Sequence, residues 1–185
     1  MPEDPSTATA AIGTAATATT PRFAIFRARD ALGEAEAGIM DYEPLPAAAT
    51  EGSHLAQESG VHAGHQLKVL FSVPGFSLVY AWFKSGFPLP RHTHNVDCLY
   101  YIVGGSLKLG TEELKAGDGF FIGKDVPYTY TPGPAGVEVL EFRASNKFNI
   151  HVLASNPAFW SQAVATVQAR RDAWATERQP GLAAG

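Results

Sequence analysis

Residues 66–154 form a succession of short segments in which polar and apolar side chains alternate and β-branched or aromatic residues recur. Turn signals separate these segments, among them Pro74-Gly75, Gly104-Gly105 and Gly117-Asp118. Several short strands at near-regular spacing are typical of an antiparallel sandwich or barrel. The sequence therefore predicts an all-β domain over this region. The predicted strands are 67–73, 76–84, 97–103, 106–110, 119–123, 127–131, 137–143 and 148–154.

The two ends of the chain have a different character. Residues 1–21 contain twelve Ala or Thr residues and are interpreted as a low-complexity tail. Residues 22–65 are expected to form an irregular N-terminal arm, in which 23–26 could be an edge strand. Residues 155–185 are predicted to be a helix and a short tail, because Asn156-Pro157 is a helix start signal. That helix either packs on the outside of the domain or mediates dimerisation.

Composition excludes several classes of protein. The chain has 185 residues and is 45 % hydrophobic, enough for one domain with a proper core. The net charge is −4 with no basic stripe, so nucleic acid is not an expected partner. No apolar run approaches the roughly 18 residues that span a membrane. The single cysteine, Cys98, excludes an intramolecular disulfide and a zinc module built on several cysteines, and favours a cytoplasmic location.

Two of the six histidines, His92 and His94, stand two residues apart in a strand context. Side chains at this spacing point to the same face of a strand. Two imidazoles can therefore converge on one metal ion, or line a pocket as hydrogen-bonding groups. The other four histidines are expected to lie elsewhere, although spacing cannot show whether one of them joins the pair. They are His54, His62, His65 and His151.

Two motifs in this region resemble those of the cupins. The stretch that runs from Gly86 through His92 and His94 to Gly105 resembles the first cupin motif, G-x5-H-x-H followed by Glu and Gly. The stretch 117–128 resembles the second motif, G-x5-P-x-G-x2-H. The resemblance covers residues 66–145 and implies a double-stranded β-helix, the jelly-roll barrel, with the site inside its mouth. The barrel domain is assigned to residues 66–154.

The chain departs from the cupin pattern at two positions. In metal-binding cupins three His and one Glu hold a divalent ion, but here Cys98 stands at the Glu position and Tyr128 at the third His position. The resemblance implies one bound Fe, Zn, Ni or Mn ion, with His92 and His94 as ligands and Cys98 or Tyr128 completing the set. Alternatively no metal is bound, Cys98 is a buried small hydrophobic residue and Tyr128 donates a hydrogen bond.

Strand alternation predicts which side chains line the barrel. Cys98 should share the inward face with Tyr100 and Ile102, and Tyr128 with Tyr130. Such a lining suits a small, partly apolar or aromatic ligand. We expect an enzyme of oxygenase, isomerase, cyclase or lyase type in which His92, His94 and Tyr128 are catalytic. The alternative is a non-catalytic cupin that binds a small molecule without metal.

The opposite face of the same predicted strand is apolar. Leu99, Tyr101 and Val103 should point outward and form a strip that needs cover. We therefore expect a homodimer, unless the arm or the C-terminal helix covers the strip.

Overall fold

The computed structural model of the protein describes residues 20–181, which contain ten strands and three α-helices. The strands are β1 (Leu32–Gly33), β2 (Met40–Tyr42), β3 (His65–Val73), β4 (Phe76–Phe83), β5 (His92–Thr93), β6 (Cys98–Leu109), β7 (Glu112–Lys115), β8 (Gly119–Ile122), β9 (Thr131–Arg143) and β10 (Phe148–Val152). The helices are α1 (Glu34–Ala37), α2 (Ala47–Glu58) and α3 (Pro157–Thr176). The predicted low-complexity tail lies almost wholly outside the described residues, as does the end of the chain after residue 181.

The strands form two sheets that close into a jelly-roll barrel. The larger sheet has the order β1-β3-β4-β9-β6-β7, with β8 also paired to β6, and the smaller has the order β2-β10-β5. The strand pairs are antiparallel, except that β2 runs parallel to β10. Arg143 of β9 lies over the ring of Phe148 of β10, 4.2 Å from its centroid, so side chains of the two sheets meet inside. The predicted all-β jelly roll is confirmed.

Strand β6 carries the core of the barrel. Its side chains alternate, with Cys98, Tyr100 and Ile102 buried and Leu99 and Tyr101 about half exposed. Successive side chains of a strand point to opposite faces, so one face of β6 supplies the interior. Each large apolar side chain buried there contributes about 1.5–3 kcal/mol. The same interior cluster includes Ala81, Phe83, Phe87, Leu107, Tyr128, Tyr130, Val137 and Val139.

One predicted strand does not form. Residues 127–130 make only an isolated bridge, in which the backbone groups of Tyr128 and His92 exchange two hydrogen bonds of 3.0 Å. Pro127 has no N–H to donate to a ladder, which limits pairing at this point. The last residue of the predicted strand, Thr131, begins the next strand, β9.

The N-terminal arm is more regular than expected. Residues 23–26 form no strand, but β1 pairs with β3 and β2 pairs with β10, so the arm extends both sheets. The alanine-rich residues of α2 form a twelve-residue helix, as their high helix propensity favours. This helix packs closely against α3, because a Cβ at Gly52 would overlap the Trp160 side chain.

Helix α3 was expected either to pack on the outside of the domain or to mediate dimerisation. In the structure it packs on the barrel of its own chain. The Asn156 side chain caps it by accepting a hydrogen bond of 2.9 Å from the Ala158 N–H, and Pro157 occupies the first turn. Trp160 and Trp174 are buried, and the Trp174 indole N–H donates to the Ser85 carbonyl over 3.0 Å. Neither tryptophan is therefore free to mediate dimerisation.

The outer face of the barrel keeps an apolar patch. Leu99 and Tyr101 are about half exposed, and Phe121 of β8, the pairing partner of Leu99, is more exposed still. Pairing of two copies through this face stays a prediction. None of the helices in residues 20–181 combines the length and the hydropathy that a bilayer-spanning helix needs.

Trp174 should be essential for stability. Its side chain is fully buried between α3 and the barrel, so Trp174→Ala would leave a large cavity and only the longer Arg170 hydrogen bond, of 3.4 Å, on the Ser85 carbonyl. We expect the free energy of unfolding to fall by about 3–5 kcal/mol in denaturant titration. Phe23→Ala is the matched control, since Phe23 is 82 % exposed and its loss should cost less than about 0.5 kcal/mol. A small change at Trp174 would contradict the packing described here.

Candidate functional site

His92 and His94 lie at the rim of the smaller sheet and point into the barrel. His92 pairs with Val152 of β10 on one side and with Tyr128 on the other. The two imidazoles are 4 % and 6 % exposed, and their ring centroids are 5.1 Å apart. The two-residue spacing thus places both side chains on one face, as the sequence predicts.

Backbone carbonyls fix the orientation of both rings. His92 Nδ1 lies 2.7 Å from the Pro90 oxygen, and His94 Nδ1 lies 2.6 Å from the Asn149 oxygen. A carbonyl oxygen only accepts, so each Nδ1 must carry the proton and donate it. In the neutral imidazole the lone pair then resides on Nε2. Both rings therefore present Nε2 as an acceptor or base.

Burial keeps both imidazoles neutral. Desolvation, reinforced by the Arg143 guanidinium, lowers the pKa of His94 to about 3. Desolvation and the Arg143 guanidinium also lower the pKa of His92, but the Pro90 carbonyl and the Glu141 carboxylate oppose that change. The two rings thus differ in their surroundings, because Arg143 disfavours the protonated form of both and Glu141 favours that of His92.

Two tyrosines complete the inner wall beside His92. The ring of Tyr128 lies 4.5 Å from that of His92, centroid to centroid, and its hydroxyl is hydrogen-bonded to the Tyr100 hydroxyl. Tyr100 stacks on Phe120 with the centroids 4.5 Å apart. Burial raises the pKa of both phenols, so both stay protonated at neutral pH. The pair can donate a hydrogen bond to a bound molecule.

The other predicted lining residues occupy the barrel interior as well. Burial raises the pKa of the Cys98 thiol to about 12, so the thiol stays protonated. Ile102 and Tyr130 are buried within the core cluster. Their role as pocket lining stays a prediction. Asp97 faces outward, as strand alternation requires, and accepts a hydrogen bond of 2.7 Å from the Lys124 N–H.

Sequence reasoning missed an ion pair at the same place. The inward-facing side chains of Glu141 and Arg143 form a buried pair, with Arg143 Nη2 2.8 Å from Glu141 Oε2. Strand register sets Glu141 opposite Tyr100 and Arg143 opposite Cys98. A signal for this ion pair was present in the predicted strand 137–143. Glu141 and Arg143 lie two and four residues after the buried Val139, so strand alternation places their side chains on the same inner face.

The residues present do not fit a divalent metal ion. Over residues 20–181, no three His, Cys, Asp or Glu side chains are grouped as a metal site requires. The side chains suggested to complete the set, Cys98 and Tyr128, are protonated without a metal, so each would have to give up its proton to bind one. The fixed positive charge of Arg143 beside His94 opposes a second cation there. Among residues 20–181, a cupin-type metal site is therefore incomplete.

The remaining histidines lie apart from the pair. His54 is on α2, 3.6 Å from Glu58, and His151 contacts Glu43 at 2.6 Å. His62 and His65 lie against each other at the start of β3. None of them supplies a third ligand.

Stability should depend on pH through His94. The pKa of this imidazole is about 3 in the folded chain and near its ordinary value of 6.5 in the unfolded chain. Between these values the unfolded chain binds more protons, so the free energy of unfolding falls as the pH drops. From pH 7 to 5, wild type should lose about 2 kcal/mol more than His94→Gln does. Urea titrations at both pH values measure this, with His54→Gln as control. Equal losses in wild type and His94→Gln would contradict a buried neutral imidazole.

No protein-family model matches the sequence, and no curated protein matches it. Among solved structures, the chain is similar to the polyketide cyclase RemF from Streptomyces resistomycificus, with a TM-score of 0.47 and 19% identity over 57% of this chain and 84% of that one. It is also similar to an RmlC-like cupin from Shewanella frigidimarina, with a TM-score of 0.40 and 22% identity over 45% and 78% of the two chains.

A third similar structure is the salicylate 1,2-dioxygenase from Pseudoaminobacter salicylatoxidans, with a TM-score of 0.43 and 16% identity. That match covers 57% of this chain and 34% of the dioxygenase. These similarities concern the fold alone. The chain has a jelly-roll topology, and the motif around His92 and His94 resembles that of the cupins.

Proposed function

We propose that the chain is a metal-independent enzyme that binds a small, partly apolar or aromatic molecule in the barrel and moves a proton on it. The observation that carries this proposal is the orientation of the two imidazoles. Their Nδ1–H groups are committed to the carbonyls of Pro90 and Asn149, which leaves both Nε2 atoms free to accept. Among the described residues, no hydrogen bond reaches either Nε2.

His92 is the base in this proposal. A general base must accept a proton and hold it long enough for the reaction to proceed. Arg143 disfavours the protonated form of both rings, but at His92 the Glu141 carboxylate opposes it. His94 therefore stays neutral and positions the bound molecule by accepting a hydrogen bond at Nε2.

The tyrosine pair serves as the donor. When His92 removes a proton, negative charge develops on the bound molecule and needs a hydrogen-bond donor nearby. The Tyr128 ring lies against His92, and its hydroxyl shares a hydrogen bond with Tyr100. Because both phenols remain protonated, the pair has one proton to donate to an oxyanion. No step of this reaction is assigned to a metal.

Ring opening of nitrobenzisoxazole tests the proposal without knowledge of the natural substrate. This small aromatic compound reacts when a base takes the C–H proton of its isoxazole ring. The C–H electron pair forms a nitrile as the N–O bond breaks, and the ring opens to a coloured phenolate. We expect a saturable rate that falls about 100-fold in His92→Gln, since a positioned base contributes about 10²–10⁴-fold. Tyr128→Phe should lower the rate about tenfold, because the leaving oxygen loses its donor.

Two controls show whether ring opening depends on the buried His92 imidazole and not on an exposed histidine or a metal ion. His54→Gln removes an exposed imidazole of α2 and should leave the rate unchanged. Dialysis of wild type against a chelator should also leave it unchanged. A rate that survives in His92→Gln, or that disappears on chelation, would contradict the proposal. Binding of the compound without any ring opening would favour the non-catalytic alternative instead.

A further inference from the structure

Arg143 is a buried cation with unused hydrogen-bond donors. Arg143 is 3 % exposed, and of its three guanidinium nitrogens only Nη2 contacts Glu141. The Nε and Nη1 atoms are buried with no hydrogen-bond partner. Leaving a buried charged donor unpaired costs more than leaving a neutral one, and buried polar groups in native proteins are nearly always paired.

Buried charges elsewhere in the described residues differ in their pairing, since Glu34 Oε1 also lacks a partner whereas Glu138 is fully paired. Glu138 is 1 % exposed and lies on the outer side of β9. One of its carboxylate oxygens accepts from the Tyr80 hydroxyl over 2.5 Å, and the other accepts from the Gly181 N–H. A pair with only a structural role would be expected to satisfy the Arg143 donors in the same way.

The free donors lie in the interior that holds the proposed base. The guanidinium of Arg143 sits over the Phe148 ring, and the same ring meets His94 edge-on with the centroids 5.6 Å apart. Arg143 is also the register partner of Cys98, two residues before Tyr100 on β6. An acceptor bound to Arg143 would thus share the inner wall with the imidazoles and the tyrosine pair.

We propose that the ligand of this barrel is a small carboxylate and that Arg143 binds its carboxylate group through one of its two free donors, Nε or Nη1. This inference rests on the proposed function only in placing the ligand inside the barrel. Glu141 keeps its contact with Nη2 and holds the guanidinium in place. A guanidinium is the side chain best suited to a planar carboxylate, because its donors are fixed in one plane.

Calorimetric titration with benzoate and with benzamide tests this directly. The two probes have nearly the same shape, but only benzoate is charged. Hydrogen bonds to charged groups predict that the full-length chain binds benzoate at least about tenfold more tightly than benzamide. In Glu141→Gln the guanidinium keeps its charge and loses a competing carboxylate, so the preference for benzoate should be kept or increased.

The decisive variant removes both charges together. Arg143→Met alone would leave Glu141 buried without a partner and could unfold the chain. The double variant Glu141→Gln/Arg143→Met avoids this, and its thermal unfolding shows whether the fold is kept. It should bind benzoate and benzamide equally, with benzamide affinity within about threefold of wild type.

Three results would overturn the carboxylate proposal. They are equal affinities in wild type, a benzoate preference that survives in the double variant, and no binding of either probe at millimolar concentration. The outcome is separable from that of the proposed function, because nitrobenzisoxazole is uncharged. A benzoate preference without His92-dependent ring opening would refute the base and keep the carboxylate site.

Discussion

The site depends on two imidazoles buried in an apolar barrel and held there by backbone carbonyls. Burial alone would allow either neutral tautomer of each ring. The carbonyl oxygens of Pro90 and Asn149 accept hydrogen bonds from the two Nδ1–H groups, so both Nε2 atoms are acceptors that face the interior. Rotation of either ring would break its Nδ1 hydrogen bond, and pairing on both sides of His92 fixes the backbone that carries it. The neutral charge, the orientation and the basicity of the two imidazoles follow from their burial and from these hydrogen bonds.

The buried pair of Glu141 and Arg143 supplies the charge that the imidazoles lack. Burying two charges is costly, and replacing such a pair by apolar residues is often neutral or stabilising. Stability is thus a poor reason for its presence inside the barrel. It makes the two histidines unequal, since the guanidinium disfavours protonation of both rings and the carboxylate opposes this at His92. It also brings unused donors into the space where a ligand would bind.

Local patterns predicted much of this structure. Alternation along β6 placed Cys98 and Tyr100 inside, and the cap at Asn156 located α3. The two-residue spacing of His92 and His94 placed both rings on one face. These features depend on residues close in sequence, where strand parity and helix capping act.

Contacts between distant segments were beyond prediction from local patterns. The acceptor for His94 Nδ1 is the carbonyl of Asn149, 55 residues away, and no side-chain pattern marks a carbonyl as an acceptor. The pairing of Glu141 with Arg143 had a local signal, but opposite charges on a strand usually face solvent. The regular part of the arm also forms through distant partners, since β2 needs β10 and α2 packs on α3.

The most direct test of the account is the tautomeric state of the two histidines in the folded chain. Proton–nitrogen correlation spectra that report both ring nitrogens measure it, with His92→Gln and His94→Gln used to assign the signals. At neutral pH, we predict that both rings carry a proton on Nδ1 and none on Nε2. A proton on Nε2 of either ring, or a doubly protonated His94, would contradict the account.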